Sequence, residues 1–218
     1  MAAVSDRTFV QGAAGRIEVA VTHAAAPRMV AVIAHPHPLF GGTMDNKVVT
    51  TLARAFAEAG AATFRFNFRG VGATEGVHDE GRGETDDMVR VAQHAREAHP
   101  GLPLALAGFS FGGAVAVRAS GIIDFTHLVL VAPGFRRITG EGMGAAPDPR
   151  DPQLGAPGRH TLENTLVVHG DRDETVPLAD SLAWAGPREV PVVVVPGGEH
   201  FFHRKLHMLR EIVLRWVR

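Results

Sequence analysis

LPLALAGFSFGGAVAV, residues 102–117, places a serine between two glycines, at the point where an apolar run changes into a run of small residues. The first run is typical of a buried strand and the second of a helix. The junction, Gly108 to Gly112, fits the pattern G-x-S-x-G, in which a sharp strand-to-helix turn exposes the serine hydroxyl. The N-terminus of the helix then faces negative charge that develops near the hydroxyl. The alternative interpretation is a serine that only caps a helix, with glycines present for packing.

The segments on either side of this turn alternate between apolar runs and amphipathic runs. Residues 8–23 alternate around a glycine-containing turn, which predicts an N-terminal hairpin. Further strands are predicted at 29–35, 62–68, 103–108, 127–133, 164–170 and 191–197, and helices at 46–60, 83–98, 111–120, 178–185 and 201–217. This order predicts an α/β fold: a mostly parallel sheet of about eight strands, an antiparallel N-terminal hairpin and helices on both faces. In such sheets the functional residues collect at the carboxyl ends of the strands.

Length and composition limit the classes of protein that the chain can represent. A chain of 218 residues suits one domain, 1–218, and a formal net charge of −1 gives no reason to expect nucleic acid or an anionic membrane as a partner. The absence of cysteine excludes disulfides, thiolate metal sites and a cysteine nucleophile. With no signal pattern and no membrane-spanning apolar run, a cytoplasmic protein is predicted. Residues 134–163, rich in Gly and Pro, are predicted to form an irregular, lid-like or substrate-shaping segment.

A serine hydroxyl becomes nucleophilic when a base takes its proton and an acid orients that base. With the strand-to-helix turn, these groups are expected to follow the serine in the order Ser, Asp or Glu, then His. Two later predicted strands end in loops that carry them, within LVVHGDRDETVP (166–177) and VVVVPGGEHFFH (192–203). Since the carboxyl ends of parallel strands meet at one edge of a sheet, all three groups are expected to lie close together.

Each of these loops offers more than one candidate. The first holds three carboxylates, of which Asp173 is the favoured acid, because Asp171 directly follows a glycine and suits a structural role in the turn. His200 is the favoured base, because it lies in the second loop. His203 and His207 are predicted to lie in the terminal helix.

Five blocks of the chain carry a family resemblance: AHPHPLFGGTMDNKVV (34–49), FNFRGVGATEG (66–76), GFSFGG (108–113), HGDRDETVP (169–177) and GEHFF (198–202). In order and spacing they resemble the α/β-hydrolase superfamily, and within it the small bacterial dienelactone-hydrolase-like proteins. The resemblance covers nearly the whole chain and implies Ser110 as nucleophile, Asp173 as acid and His200 as base. Dienelactone hydrolases proper have a cysteine where this chain has Ser110, a difference that speaks against that particular activity.

Acyl transfer also needs N–H donors for the oxyanion of the tetrahedral intermediate. Phe111, directly after the serine, supplies one by position. The second is predicted in HPHPLFGG (35–42), whose prolines have no N–H, so that His37, Leu39 and Phe40 are the candidates. The resemblance aligns the first two residues of this segment with the His-Gly of relatives and thereby favours His37. Leu39 and Phe40 are then candidates for contact with substrate.

The histidine pairs in HPH (35–37) and HFFHRKLH (200–207) raise the alternative of a metal site. The acidic residue that dinuclear hydrolases place just after such a pair is missing, so neither a metal nor a cofactor is expected. The combined prediction, in which the preference for esters comes mainly from the resemblance, is a serine hydrolase that cleaves small-molecule carboxylic esters or thioesters through an acyl-enzyme. An acyltransferase or perhydrolase on the same scaffold, and a binding protein with an inactive site, are the alternatives. The sequence gives no indication of the oligomeric state.

Overall fold

The computed structural model describes residues 5–137, 160, 161 and 163–218. Within these residues lie eight strands: β1 (Ser5–Gly12), β2 (Gly15–Thr22), β3 (Met29–Ala34), β4 (Ala61–Phe66), β5 (Leu104–Phe109), β6 (His127–Val131), β7 (Thr165–Gly170) and β8 (Val192–Val195). They form one sheet in the order β1-β2-β4-β3-β5-β6-β7-β8. The pairs β1·β2 and β2·β4 are antiparallel and the other pairs are parallel. The predicted α/β class, with its N-terminal hairpin and mostly parallel sheet, is confirmed.

Five α-helices in the described residues cover the two faces of this sheet: α1 (Lys47–Glu58), α2 (Arg82–Ala98), α3 (Phe111–Ser120), α4 (Leu178–Ala185) and α5 (Leu206–Trp216). Helices α1 and α5 share one hydrophobic cluster on one face, and α2, α3 and α4 share another on the opposite face. No helix in the described part of the chain is both long and apolar enough to cross a membrane.

The central strands are buried on both faces, which explains their continuous apolar sequences. In β3, Val30 and Val32 point into the cluster formed with α2 and α3, while Ala31 and Ile33 point into the cluster formed with α1 and α5. The polar residues that follow such strands therefore lie at the carboxyl edge of the sheet, where the strands meet the loops.

The terminal helix begins at Leu206, whereas the sequence pattern predicted a start at residue 201. The prediction was wrong for residues 201–205, which form turns. Phe202 and Arg204 have positive φ angles of 52° and 61°, a backbone region that interrupts a right-handed helix. The Phe202 side chain is buried in the α1–α5 cluster, so tertiary packing fixes this turn. His203 consequently lies before the helix, and His207 lies within it.

The predicted irregular segment 134–163 lies mostly outside the described residues, which omit 138–159 and 162. At its start, Phe135–Arg137 form a short 3-10 helix, and Phe135 stacks on Trp184 with ring centroids 5.3 Å apart. At its end, His160 is buried, with Nε2 2.8 Å from Ser120 Oγ at the last turn of α3. The lid-like role of the segment stays a prediction.

Candidate active site

Ser110 occupies the turn between β5 and α3, and its backbone is strained. Its φ of 56° and ψ of −121° lie in a region that residues with a side chain rarely adopt. Hydrogen bonds from Ser110 N to Val131 O and from Gly113 N to Ser110 O, both 2.9 Å long, hold the turn. The hydroxyl is bonded to His200 and does not cap α3, so the interpretation of Ser110 as a simple helix cap is not supported.

The glycines on both sides of Ser110 let three pieces of backbone approach closely. A Cβ at Gly108 would collide with the backbone of Gly112 across the turn. A Cβ at Gly112 would collide with the carbonyl groups of Ala34 and His35 at the end of β3. The G-x-S-x-G pattern is therefore a packing requirement, and it brings the N-terminus of α3 against the loop that follows β3.

The imidazole of His200 lies against the Ser110 hydroxyl. Its Nε2 is 3.1 Å from Ser110 Oγ, and only 5% of the residue is exposed. The ring packs on Phe109 with a centroid distance of 4.8 Å. The loop that carries His200 reaches the site because it packs tightly on the end of β7, where a Cβ at Gly170 would collide with Gly198.

The carboxylate of Asp173 lies on the other side of His200. Its Oδ2 is 2.7 Å from His200 Nδ1, and its Oδ1 accepts hydrogen bonds from the N–H groups of Thr175 at 2.9 Å and Val176 at 2.8 Å. Because an ionised carboxylate only accepts, the hydrogen of the neutral ring sits on Nδ1 and Nε2 accepts from the Ser110 hydroxyl. The structure thus brings the three predicted side chains together, with an unprotonated nitrogen directed at the serine.

Asp173 keeps its charge although its side chain is fully buried. Burial acts to raise the pKa of Asp173, but hydrogen bonds from His169, His200 and the Val176 N–H outweigh burial and hold that pKa well below the usual carboxylate range. The group behind His200 is therefore a carboxylate at any pH at which an imidazole serves as a base.

The rival candidates have other surroundings. Asp171 Oδ1 accepts a hydrogen bond from the Gly197 N–H at 2.5 Å and so ties the ends of β7 and β8 together, the structural role favoured for it from the sequence. His203 is exposed and lies 3.1 Å from the Glu199 carboxylate, which is also exposed. Among these candidates, His200 contacts Ser110, and Asp173 contacts His200.

The loop after β3 forms the opposite wall of the site and contains a short 3-10 helix, Pro38–Phe40. The Leu39 N–H donates to His37 Nδ1 at 3.3 Å, and the Phe40 N–H donates to the His37 carbonyl at 3.1 Å. Two of the three candidate oxyanion donors are therefore used inside the loop. The ring of His37 lies 4.7 Å from that of Phe111, whose own N–H, at the first position of α3, has no acceptor within the helix.

His35, directly after β3, is a buried residue whose role was missed from the sequence. Its Nε2 accepts a hydrogen bond from the Phe68 N–H at 3.0 Å, and its Nδ1 lies 2.6 Å from the Pro36 carbonyl. Nε2 is therefore the acceptor and Nδ1 the donor of a neutral ring. Burial lowers the pKa of His35 to about 4, against the opposing effect of the Pro36 hydrogen bond. The ring fastens the loop after β3 to the loop after β4.

His169 was also missed from the sequence. It lies in β7, is fully buried, and its Nε2 is 3.3 Å from Asp173 Oδ2. Because buried strands are usually apolar, a histidine among the valines of β7, four residues before the predicted acid, is the signal that could have revealed it.

Two cavities flank the loop that carries Asp173. One, of about 380 Å³, is lined by His200 together with Arg172, Glu174, Thr175, Glu199, Phe201 and His203. The other, of about 240 Å³, is lined by Gly134, Arg136, Glu174, Thr175, Val176, Pro177 and Asp180. On the opposite wall, the side chains of Leu39 and Phe40 are 69% and 74% exposed. The site is therefore bordered by two cavities on one side and by the exposed apolar side chains of Leu39 and Phe40 on the other.

In the first of the histidine pairs that suggested a metal site, one nitrogen of each ring is used in a hydrogen bond. His35 Nε2 is occupied by the Phe68 N–H, and His37 Nδ1 accepts from the Leu39 N–H. Within the described ranges, no group of three or more His, Asp or Glu side chains is arranged to hold a metal ion.

The chain also matches a known protein family. A family model described as serine aminopeptidase, S33, matches residues 26–147. The chain is similar to a Rickettsia prowazekii protein described only as uncharacterized, with 29% identity over 209 residues that cover 90% of this chain and 82% of that protein.

Two solved structures are similar over nearly their whole length. An α/β serine hydrolase homologue from Coxiella burnetii is 37% identical, with 96% of each chain covered and a TM-score of 0.79. An α/β serine hydrolase without a lid, from Xanthomonas campestris, is 34% identical, with 98% of this chain and 94% of that chain covered and a TM-score of 0.81. These similarities confirm the predicted α/β-hydrolase fold.

Proposed function

Because this chain belongs to the α/β serine hydrolases, in the family described as serine aminopeptidase, S33, we propose that it hydrolyses carboxylic esters or thioesters of small molecules through an acyl-enzyme on Ser110. The observation that carries the proposal is one continuous line of contacts. Ser110 Oγ is 3.1 Å from His200 Nε2, and His200 Nδ1 is 2.7 Å from Asp173 Oδ2. We propose that residues 1–218 form one catalytic domain.

In the proposed acylation step, Ser110 Oγ attacks the carbonyl carbon of the ester while its proton passes to His200 Nε2. The ring becomes an imidazolium, which the Asp173 carboxylate stabilises without taking the proton itself. The tetrahedral intermediate then collapses, the bond to the leaving oxygen or sulfur breaks, and the imidazolium gives that atom its proton. The acyl group is left on Ser110.

Deacylation repeats the same steps with water in place of the serine. His200 takes a proton from water, the resulting hydroxide attacks the acyl carbon, and Ser110 leaves with the proton that His200 returns to it. The products are a carboxylic acid and the regenerated hydroxyl. The reaction requires no cofactor.

The negative charge that develops on the carbonyl oxygen needs hydrogen-bond donors that are already in position. We assign this role to the N–H groups of Phe111 and His37. The position of Phe111 at the start of α3 and the 4.7 Å contact between the two rings support the assignment. The exposed side chains of Leu39 and Phe40 are proposed to contact the apolar part of the substrate.

The proposal is tested with p-nitrophenyl esters of increasing acyl length, a thioester and an aminoacyl p-nitroanilide, assayed with wild type and Ser110→Ala. We expect the esters to be cleaved and the variant to lower kcat by at least about 10⁴-fold. Ser120→Ala, at the other end of α3, is the matched control and is expected to keep kcat within about twofold.

Ester hydrolysis by Ser110→Ala at the wild-type rate contradicts the proposal. Preferential cleavage of the anilide reassigns the enzyme to peptide bonds. Transfer of the acyl group to an added alcohol or peroxide in preference to water reassigns it to an acyltransferase or perhydrolase.

A further inference from the structure

The buried side chain of His169 connects three elements behind the triad. Its Nδ1 is 2.8 Å from Ser181 Oγ on α4, which is also fully buried. Its Nε2 is 3.0 Å from the Val176 carbonyl and 3.3 Å from Asp173 Oδ2. The proposed reaction uses no atom of His169 directly, so its placement calls for a separate explanation.

The partners of His169 determine where its hydrogen lies. The Val176 carbonyl and the Asp173 carboxylate can only accept, so Nε2 carries the hydrogen, which it donates to the Val176 carbonyl while Asp173 Oδ2 lies 3.3 Å from the same nitrogen. In the neutral form of the ring Nδ1 is then an acceptor, and the Ser181 hydroxyl donates to it. Ser181 thereby fixes the tautomer of His169.

One oxygen of Asp173 consequently faces two imidazole N–H groups. Oδ2 is 2.7 Å from His200 Nδ1 and 3.3 Å from His169 Nε2. The two N–H groups of Thr175 and Val176 hold Oδ1. With donors on both oxygens the carboxylate cannot rotate, and its plane determines the direction in which the His200 ring points at the serine.

We propose that His169 is a positioning residue of the triad, whose Nε2–H shares Asp173 Oδ2 with His200 and thereby sets both the orientation and the proton affinity of the base. The inference rests on the proposed function, because it assigns a role within that reaction. Donation from His169 withdraws part of the carboxylate charge from His200. Removal of that donor lets the full charge act on His200, which favours its protonated form and moves the acidic limb of the pH–activity profile to higher pH.

The other charged groups near this cluster are paired or exposed. Asp180, the neighbour of Ser181 on α4, is 2.7 Å from the Arg136 guanidinium, and this ion pair is partly exposed. Glu174, which follows Asp173 in the loop, is exposed. These groups stay unchanged in the variants below and affect all of them equally.

The test compares His169→Leu, which removes the donor, with His169→Gln, whose amide can still donate toward Asp173. For His169→Leu we expect kcat on a p-nitrophenyl ester to fall by about 10- to 100-fold, with KM changed less than about twofold, and the acidic limb to move up by about 0.5 pH unit. His169→Gln is expected to recover most of kcat and the wild-type profile. His160→Leu, in the buried Ser120–His160 pair, is the control for loss of a buried histidine and is expected to lower Tm without moving the profile.

Ser181→Ala keeps the test decisive if His169→Leu does not fold. Loss of that hydroxyl releases the tautomer of His169, so a smaller shift in the same direction is expected. A profile that superimposes on wild type in Ser181→Ala and in whichever His169 variant folds, with a kcat loss no larger than that of His160→Leu, overturns the inference and leaves His169 a structural residue. Ser110→Ala separates the two proposals, since an inactive Ser110→Ala with an unchanged His169 profile leaves the proposed function intact.

Discussion

The two ends of α3 carry the same pair of residue types with opposite directions of proton donation. At the N-terminus, Ser110 Oγ is 3.1 Å from His200 Nε2, and at the C-terminus, Ser120 Oγ is 2.8 Å from His160 Nε2. The Ser120 hydroxyl donates its one hydrogen to the Val117 carbonyl at 2.7 Å, so it accepts from His160. A short distance between a serine and a histidine is therefore not enough to identify a nucleophile.

Two further differences separate these ends. Ser110 stands outside the helix with a φ of 56°, while Ser120 is the last residue of α3. The helix N-terminus stabilises negative charge and the C-terminus opposes it, so an alkoxide or oxyanion is favoured at Ser110 only. Asp173 completes the difference, because its carboxylate fixes the hydrogen of His200 on the nitrogen that faces away from the serine.

The largest expected effect is the difference in kcat between variants of His200 and His160, the histidines at the two ends of α3. His200→Gln should lower kcat on a p-nitrophenyl ester by at least about 10⁴-fold, because no base then takes the Ser110 proton. His160→Gln should keep kcat within about twofold and cost about 1–2 kcal/mol of unfolding free energy through its buried hydrogen bond. Steady-state kinetics and chemical denaturation measure the two quantities, and equal kcat losses in the two variants would erase the distinction between the ends of α3.

The next effect separates the two carboxylates of the loop after β7. Asp173→Asn should lower kcat by about 10³- to 10⁴-fold, because an amide no longer holds the reactive tautomer of His200. Asp171→Asn, two residues earlier, retains a side-chain oxygen for the Gly197 N–H and should change kcat by less than about threefold. Kinetics on the same ester measure both effects. An Asp171→Asn defect equal to that of Asp173→Asn would contradict the assignment of Asp173 as the acid that orients His200.

The smallest effect concerns stability at the N-terminal end of α3, where His35 supports the loop after β3. In the unfolded chain His35 binds a proton near pH 6.5, but the pKa of His35 in the folded chain is lowered to about 4 by burial. Between these values only the unfolded state is protonated, so stability falls as the pH falls. His35 should thus remove about 2.5 kcal/mol of unfolding free energy between about pH 7.5 and about pH 4.5.

Urea denaturation of wild type and His35→Gln at the two pH values measures this contribution. Gln cannot be protonated in this range and can still accept from the Phe68 N–H, so the variant should lose that part of the pH dependence. An unchanged pH dependence in His35→Gln would mean that folding does not lower the pKa of His35.

The fold and the three side chains at Ser110 could be predicted because each depends on local sequence. Apolar runs of strand length, glycines required by close backbone contact, and polar residues directly after strands are all visible along the chain. The favoured Asp173 and His200 follow β7 and β8, and parallel strands bring their carboxyl ends to one edge.

What could not be predicted depends on contacts between distant segments. His169 lies inside a strand, where a side chain is usually part of the core, and its contact with Ser181 on the following helix is not visible in the sequence. The start of α5 at Leu206 depends on the burial of Phe202 and on the turn that brings His200 to the serine. The amphipathic pattern of residues 201–217 extends through that turn and does not reveal it.

Covalent labelling with a fluorophosphonate, followed by mass-spectrometric peptide mapping, compares Ser110 and Ser120, at the two ends of α3, in one sample. We expect one label per chain, on the peptide that contains Ser110, lost in Ser110→Ala and at least about 10³-fold slower in His200→Gln. Label on Ser120, or labelling of Ser110 at an undiminished rate in His200→Gln, would contradict the assignment of Ser110 and His200 as nucleophile and base.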